Sequence, residues 1–97
     1  MARRLLIVDD DPLVQKILTT ALRDYSTVTA SSGEEALELY DRQPFDAVIC
    51  DLGLPGIQGF EVIQRIRQKN PAARVLIISG QDTQSRLIAS LRENIVD

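Results

Sequence analysis

Two short apolar runs of this 97-residue chain each end on aspartate. Residues 5–8 are followed by aspartates at positions 9–11, and residues 47–50 are followed by Asp51. Apolar runs of this length are typical of buried strands. If the two strands lie side by side and parallel, their carboxylates meet at one edge of the sheet, where open α/β sheets place their binding sites. Because like charges repel, such a cluster needs partial protonation or a bound cation.

The residue types that the sequence lacks exclude several kinds of site. There is no histidine, which excludes a Ser-His-Asp hydrolase, a histidine-ligated zinc ion and an internal histidine acid or base. A single cysteine cannot form an internal disulfide, which fits a reducing compartment. The net charge of -3 argues against a nucleic-acid surface, and no apolar stretch is long enough to span a membrane. We therefore expect one cytoplasmic domain that contacts neither nucleic acid nor membrane.

Strand and helix patterns alternate along the chain. Apolar or β-branched runs predict strands over residues 5–8, 27–30, 47–50 and 75–78. A helix pattern follows each strand, and the last one covers residues 84–93. Repeated βα units of this kind imply a parallel sheet with helices on both faces.

Capping signals and apolar stripes locate the helices more closely. Asp10 or Asp11 is the expected cap in front of Pro12, and we expect Asp11 to be a cap rather than a metal ligand. Residues 32–35 resemble a capping box. The spacing of apolar residues predicts a buried stripe on the first helix and another on the third: Leu13, Ile17, Ala21 and Leu22 on the first, and Phe60, Ile63 and Ile66 on the third.

The order of these motifs resembles the receiver domain of bacterial two-component response regulators. Three strand-end motifs carry the resemblance: Asp9-Asp10, the loop Asp51-Leu52-Gly53-Leu54-Pro55-Gly56 with Gly59 and Glu61, and Ser79-Gly80. The resemblance extends over nearly the whole chain, so we expect residues 1–97 to form one receiver domain. It implies the flavodoxin-like fold, an α/β fold with a parallel sheet, with strand order 2-1-3-4 for the strands present here.

The resemblance implies a role for each residue at this sheet edge. Asp51 would be the phosphoryl acceptor, a carboxylate nucleophile that forms an aspartyl phosphate. Ser79 would donate a hydrogen bond to the phosphoryl group and couple the site to the next helix. Mg²⁺ would be held by four groups of the chain: the carboxylates of Asp9, Asp10 and Asp51 and the backbone carbonyl of Gly53.

The activity implied by the resemblance is that of a switch rather than an enzyme. The phosphoryl group would come from the phosphohistidine of a sensor histidine kinase or phosphotransfer protein, since this chain has no histidine. The domain would catalyse its own phosphorylation and dephosphorylation and would regulate an output domain or partner. Gly53 and Gln81 match positions that line the route of the attacking water, and Gly53 has no side chain to shield the acyl phosphate. A short phosphorylated lifetime is therefore expected.

The C-terminal part of the family pattern is missing from this sequence. Receivers normally continue through a fifth strand, which carries an aromatic switch residue and a Lys-Pro pair, and then a fifth helix. Here no lysine follows Lys69 and no aromatic residue follows Phe60. We therefore expect a C-terminally incomplete domain with residues 75–78 as an apolar sheet edge. Low stability, or pairing with a second copy through this edge as a homodimer, would follow.

Two other functions are compatible with the sequence. A pseudo-receiver would not be phosphorylated and would serve as a constitutive protein-interaction module. A Mg²⁺-dependent phosphatase also uses a strand-end aspartate nucleophile, but such enzymes resemble Asp-x-Asp sites with a helical cap domain, for which 97 residues leave no room. An adduct on Asp51 with acetyl phosphate or beryllofluoride would favour the switch, and turnover of many phosphoesters would favour the phosphatase.

Overall fold

Strands and helices alternate along residues 3–51 and 59–78, the parts of the chain that the structure, a computed structural model, describes. In chain order the elements are β1 (Arg4–Val8), α1 (Pro12–Ala21), β2 (Ser26–Ala30), α2 (Gly33–Arg42), β3 (Ala47–Asp51), α3 (Gly59–Lys69) and β4 (Val75–Ile78). All four predicted strands are present, and β3 continues one residue further than predicted, so that Asp51 belongs to the strand. The helix predicted over residues 84–93 lies outside the described residues.

The four strands form one parallel sheet in the order β2-β1-β3-β4. This is the order predicted from the family resemblance. Val8 at the end of β1 is the register partner of Cys50 in β3, and Asp51 is the register partner of Ile78 in β4. The carboxyl ends of β1, β3 and β4 therefore lie side by side at one edge of the sheet.

Helices pack on both faces of the sheet, as predicted. Successive residues of a strand point to opposite faces, and the buried residues of β1 and β3 divide accordingly. On one face α2 and α3 pack over Leu6, Val8, Val48 and Cys50. On the other face α1 packs over Leu5, Ile7, Ala47 and Ile49. Because β1 and β3 are buried on both faces, the position of their carboxyl ends is fixed by the whole core.

The predicted stripe of α1 is right at Leu22 and wrong at Leu13. Leu22 is buried, but Leu13 is 62% exposed, and Leu18 and Val14 belong to the same cluster as Leu22. The row 14, 18, 22 thus faces the sheet, and Leu13, Ile17 and Ala21 form the neighbouring row, one residue earlier. Since each residue turns an α-helix by about 100°, that difference of one residue moves Leu13 to the solvent side.

The predicted stripe of α3 is wrong at one residue. Val62, Ile63 and Ile66 are buried, but Phe60 is 61% exposed. Phe60 lies in the first turn of α3 and roughly 110° around the helix from the centre of the buried residues. Its size and apolar character suggested burial, but the direction in which it leaves the helix decides its exposure.

The N-terminal caps of α1 and α2 are close to those predicted from the sequence. The Asp11 side chain caps α1 by accepting a hydrogen bond from the Leu13 N–H at 2.9 Å. In α2 the Ser32 hydroxyl accepts from the Glu35 N–H at 3.1 Å, and the Glu35 carboxylate accepts from the Ser31 N–H rather than from that of Ser32. The capping box therefore forms with its return bond displaced by one residue. Within the described ranges no helix is long and apolar enough to cross a membrane.

Candidate functional site

Three aspartates converge at the carboxyl edge of the sheet. One carboxylate oxygen from each of Asp9, Asp10 and Asp51 lies within 4.8 Å of the other two. The strand register explains the juxtaposition, because Asp9 and Asp51 each follow one member of the Val8 and Cys50 pair. The predicted meeting of the two aspartate-terminated strands is thus confirmed by the structure.

Asp9 is held in place by its backbone and its side chain. It is only 4% exposed, and its backbone N–H donates to the Ala30 carbonyl of β2 at 3.0 Å. Its Oδ1 accepts from the Asp11 N–H at 2.9 Å, which directs the carboxylate along the start of the next helix. Asp10 is exposed and Asp51 is half-buried, so the cluster opens to solvent on one side.

Burial raises the pKa of the Asp9 carboxyl above the ordinary aspartate value. The hydrogen bond from the Asp11 N–H lowers that pKa in part, and the negative charges of Asp51, Asp10 and Asp11 raise it. The charged form of Asp9 is therefore costly without a neutralising partner. Either a proton or a cation would relieve that cost, as the sequence suggested.

The donor set of the cluster suits Mg²⁺. Three carboxylate oxygens are hard ligands of the kind that Mg²⁺ prefers, and the exposed side leaves room for the waters that this ion retains. The three oxygens lie within 4.8 Å of one another, so one ion could contact all three. In number and chemical type the residues present therefore suit the ion.

Comparison with known proteins identifies the family. The family model described as the response regulator receiver domain matches residues 5–97. The chain belongs to this family. A receiver with four of its strands in the order 2-1-3-4 and three acidic residues at the carboxyl edge agrees with the resemblance seen in the sequence.

Individual relatives support the same assignment. The receiver is 34% identical over 88 residues to the probable transcriptional regulatory protein TcrX of Mycobacterium tuberculosis, a match that covers 89% of this chain and 38% of TcrX. It spans 34%, 18% and 36% of the next three curated relatives. The chain thus corresponds to a minor part of the length of the curated relatives it matches.

Solved structures of receivers match the fold closely. The response regulator TrrA of Thermotoga maritima, crystallised in complex with Mg²⁺ and BeF, is 35% identical with a TM-score of 0.78, over 91% of this chain and 79% of that one. A crystal structure of the histidine kinase ThkA in complex with TrrA matches at 27% identity with a TM-score of 0.80, over 98% of this chain and 99% of the matched chain.

Some residues predicted for the receiver site lie outside the described residues. These are Gly53, Ser79 and Gln81, whose roles stay predictions. The last described residue of β4, Ile78, is the register partner of Asp51. Asp11 is different, since its carboxylate caps α1 and the cluster of three does not include it.

Cys50 lies directly behind the site and is fully buried. Its Sγ lies 3.6 Å from the carbonyl oxygen of Asp51 and 3.7 Å from that of Gly59, which begins α3. Burial raises the pKa of the Cys50 thiol to about 12, and the charges of Asp51 and Asp9 contribute to the rise. In this environment Cys50 packs as a small buried hydrophobe.

Gln15 is the residue near the site that sequence reasoning missed. Its side-chain amide donates to the carbonyl oxygen of Asp9 at 2.6 Å, and it also lies within hydrogen-bond distance of Ala30 and Ser31. These partners come from two separate places in the sequence, residue 9 and residues 30–31. A glutamine near the start of an amphipathic helix is an ordinary surface residue by its pattern, so the sequence carried no signal of this contact.

Proposed function

We propose that this receiver is a phosphorylation-dependent switch in which Asp51 accepts a phosphoryl group in the presence of Mg²⁺. The observation that supports this proposal best is the convergence of Asp9, Asp10 and Asp51 within 4.8 Å at the carboxyl edge of the sheet. Asp51 is half-buried, which leaves part of its surface accessible to a donor. A nucleophile beside two acidic neighbours needs a cation before it can receive a further anionic group.

Asp9 and Asp10 are the proposed metal ligands, together with Asp51 and the backbone carbonyl of Gly53. Bound Mg²⁺ would neutralise charge on the transferred phosphoryl group and orient it. Asp9, fixed by the backbone of β2 and Asp11, provides a preorganised oxygen. Exposed Asp10 provides a second oxygen on the open side of the cluster.

The proposed transfer forms one bond and breaks another. A carboxylate oxygen of Asp51 attacks the phosphorus of a phosphohistidine, and a P–O bond forms as the P–N bond breaks. The electron pair of the broken bond passes to the departing imidazole nitrogen. Ser79 is proposed to donate a hydrogen bond to a phosphoryl oxygen. Later attack by water on the phosphorus releases inorganic phosphate and restores the carboxylate, so the receiver returns to its starting state.

The donor we propose is a sensor histidine kinase or a phosphotransfer protein. TrrA, at 35% identity, has been crystallised with Mg²⁺ and BeF, and a receiver structure that matches at 27% identity is in complex with a histidine kinase. We further propose that phosphorylation regulates an output domain or partner, for which the transcriptional role named for TcrX is one precedent. The predictions of a cytoplasmic location, of homodimer or edge-strand pairing and of no direct nucleic-acid contact stay predictions.

Phosphorylation by a small donor tests the proposal without a cognate kinase. The purified protein is incubated with acetyl phosphate and Mg²⁺, and its intact mass is measured over time. We expect an increase of one phosphoryl group that disappears in EDTA and in Asp51→Asn, and that persists in the control Asp41→Asn, an exposed aspartate on α2 paired with Lys69. No adduct in the wild type would contradict the switch and favour a pseudo-receiver. Sustained release of phosphate from many phosphoesters would instead favour a phosphatase.

A further inference from the structure

The side chain of Gln15 joins three parts of the chain at the carboxyl edge of the sheet. Its Nε2 lies 2.6 Å from the carbonyl oxygen of Asp9, 3.3 Å from that of Ala30 and 3.2 Å from the hydroxyl of Ser31. Asp9 directly follows β1, Ala30 is the last residue of β2, and Ser31 is the next residue. One half-buried side chain of α1 therefore contacts both the β1–α1 and the β2–α2 connection.

The orientation of the Gln15 amide follows from its partners. Backbone carbonyl oxygens can only accept hydrogen bonds, so the group that faces Asp9 and Ala30 must be the NH₂ end. The 2.6 Å contact to Asp9 is the shortest of the three and places one N–H directly on that carbonyl. The second N–H is shared between Ala30 and the Ser31 hydroxyl.

The carbonyl that Gln15 holds belongs to the peptide group between Asp9 and Asp10. Because a peptide group is planar, fixing its oxygen fixes the direction in which the backbone leaves Asp9 and enters Asp10. The Asp9 N–H is already bound to Ala30, and its Oδ1 to Asp11. Gln15 thus provides the third restraint on Asp9. It holds the peptide group that connects Asp9 to Asp10, two of the three residues whose carboxylates form the cluster.

We propose that Gln15 is a positioning residue that orients the Asp9–Asp10 peptide and thereby sets the affinity of the cluster for Mg²⁺. This inference rests on the proposed function, because it takes the cluster as a metal site. Gln15 is bound to the backbone of Asp9 and is not one of the proposed ligands of the ion. Its loss leaves all three carboxylates in place but widens the range of directions that Asp9 and Asp10 sample. The expected defect is therefore weaker metal binding with the phosphoryl-transfer step retained.

The variant Gln15→Met tests this idea because methionine has similar length, is uncharged and cannot donate a hydrogen bond. Calorimetric titration with Mg²⁺ should show about tenfold weaker binding, the lower end of the range for residues that orient metal ligands. The phosphorylation rate with acetyl phosphate at saturating Mg²⁺ should stay within about twofold of the wild type, a split that separates binding from chemistry. The matched control is Gln68→Met, the same substitution at an exposed position of α3, which should change neither quantity.

A measurement on the wild type avoids any folding defect of the variant. The side-chain NH₂ protons of Gln15 should exchange with solvent more slowly than those of exposed Gln68, and their resonances should shift during a Mg²⁺ titration. If Gln15 exchanges as fast as Gln68, or if Gln15→Met binds Mg²⁺ as tightly as the wild type, the positioning role is wrong. If the wild type itself binds no Mg²⁺, the proposed function fails and this inference fails with it, so the two failures are distinguishable.

Discussion

The junction between β1 and α1 and the junction between β3 and α3 begin alike and continue differently. Asp9 directly follows β1, and Asp51 is the last residue of β3, so the two aspartates lie close together at one edge of the sheet. The first junction needs only residues 9–11 before α1 begins, whereas residues 52–58 separate Asp51 from α3. Hydrogen bonds that involve Asp9 and Asp11 hold the first junction together. The sequence of the second junction contains two glycines and a proline.

This difference suggests that Asp9 and Asp51 have different functions. Asp9 is buried and restrained by three hydrogen bonds, which suits a metal ligand that must keep one orientation. Asp51 is half-buried at the end of its strand, which suits a nucleophile that a donor must reach. Because the surroundings of the two carboxylates differ, they should respond differently to substitution, pH and reagents.

The largest predicted effect concerns the thiol behind Asp51. With a pKa of about 12, the Cys50 thiol has roughly 10³-fold less reactive thiolate at pH 8 than an ordinary cysteine. A thiol reagent such as dithionitrobenzoate should therefore label the folded protein at least about 10³-fold more slowly than the urea-unfolded protein. Rapid labelling of Cys50 in the folded protein would contradict the full burial of its side chain.

The second predicted effect is a difference in Mg²⁺ affinity between two variants of the β1–α1 junction, one at the proposed ligand Asp10 and one at the helix cap Asp11. Asp10→Asn should weaken Mg²⁺ binding by about 10- to 100-fold, because it removes a charged ligand oxygen. Asp11→Asn removes the same charge but keeps a good N-cap, so its affinity should stay within about threefold of the wild type. Calorimetric titrations of both variants make the comparison. Equal losses would indicate that net charge, rather than position in the cluster, determines binding.

The strand order came from the family resemblance, whereas residue patterns were sufficient to predict the strands and the meeting of Asp9, Asp10 and Asp51. Those predictions depend on uninterrupted apolar runs, which mark buried parallel strands, and on the rule that such strands place sites at their carboxyl ends. Leu13 and Phe60 were wrongly predicted to be buried, because in short helices with several apolar residues two neighbouring rows fit the spacing almost equally well.

The contact of Gln15 could not be predicted from the sequence. It depends on the tertiary positions of two backbone carbonyls and a serine hydroxyl, which no local pattern encodes. The cap at Asp11 could be predicted, because its partner is only two residues away. The difference between these two side chains is the sequence separation of their partners.

The smallest predicted effect is a pH dependence of the free energy of unfolding that is caused by Asp9. Because burial and neighbouring carboxylates raise the pKa of Asp9, the folded chain binds that proton more tightly than the unfolded chain. The resulting stabilisation is complete below the ordinary aspartate pKa of about 3.9 and is lost as the pH rises through the raised value. Asp9→Asn lacks the charge and keeps an oxygen for the Asp11 N–H.

Urea unfolding in EDTA measures this effect. The free energy of unfolding of Asp9→Asn, relative to the wild type, should increase between about pH 4 and about pH 7. A difference that stays constant or decreases over this range would contradict the raised pKa of Asp9. The same variant should bind Mg²⁺ more weakly than the wild type, since it loses a charged ligand.

The most direct test of the central claim is to locate the phosphoryl group in the chain. After incubation with acetyl phosphate and Mg²⁺, borohydride reduces an aspartyl phosphate to homoserine, and tandem mass spectrometry identifies the residue that was reduced. We expect homoserine at position 51, with none at position 9 or 10. Reduction at Asp9 or Asp10 in place of Asp51, or an unreduced chain after full reaction, would contradict the assignment of Asp51 as the acceptor.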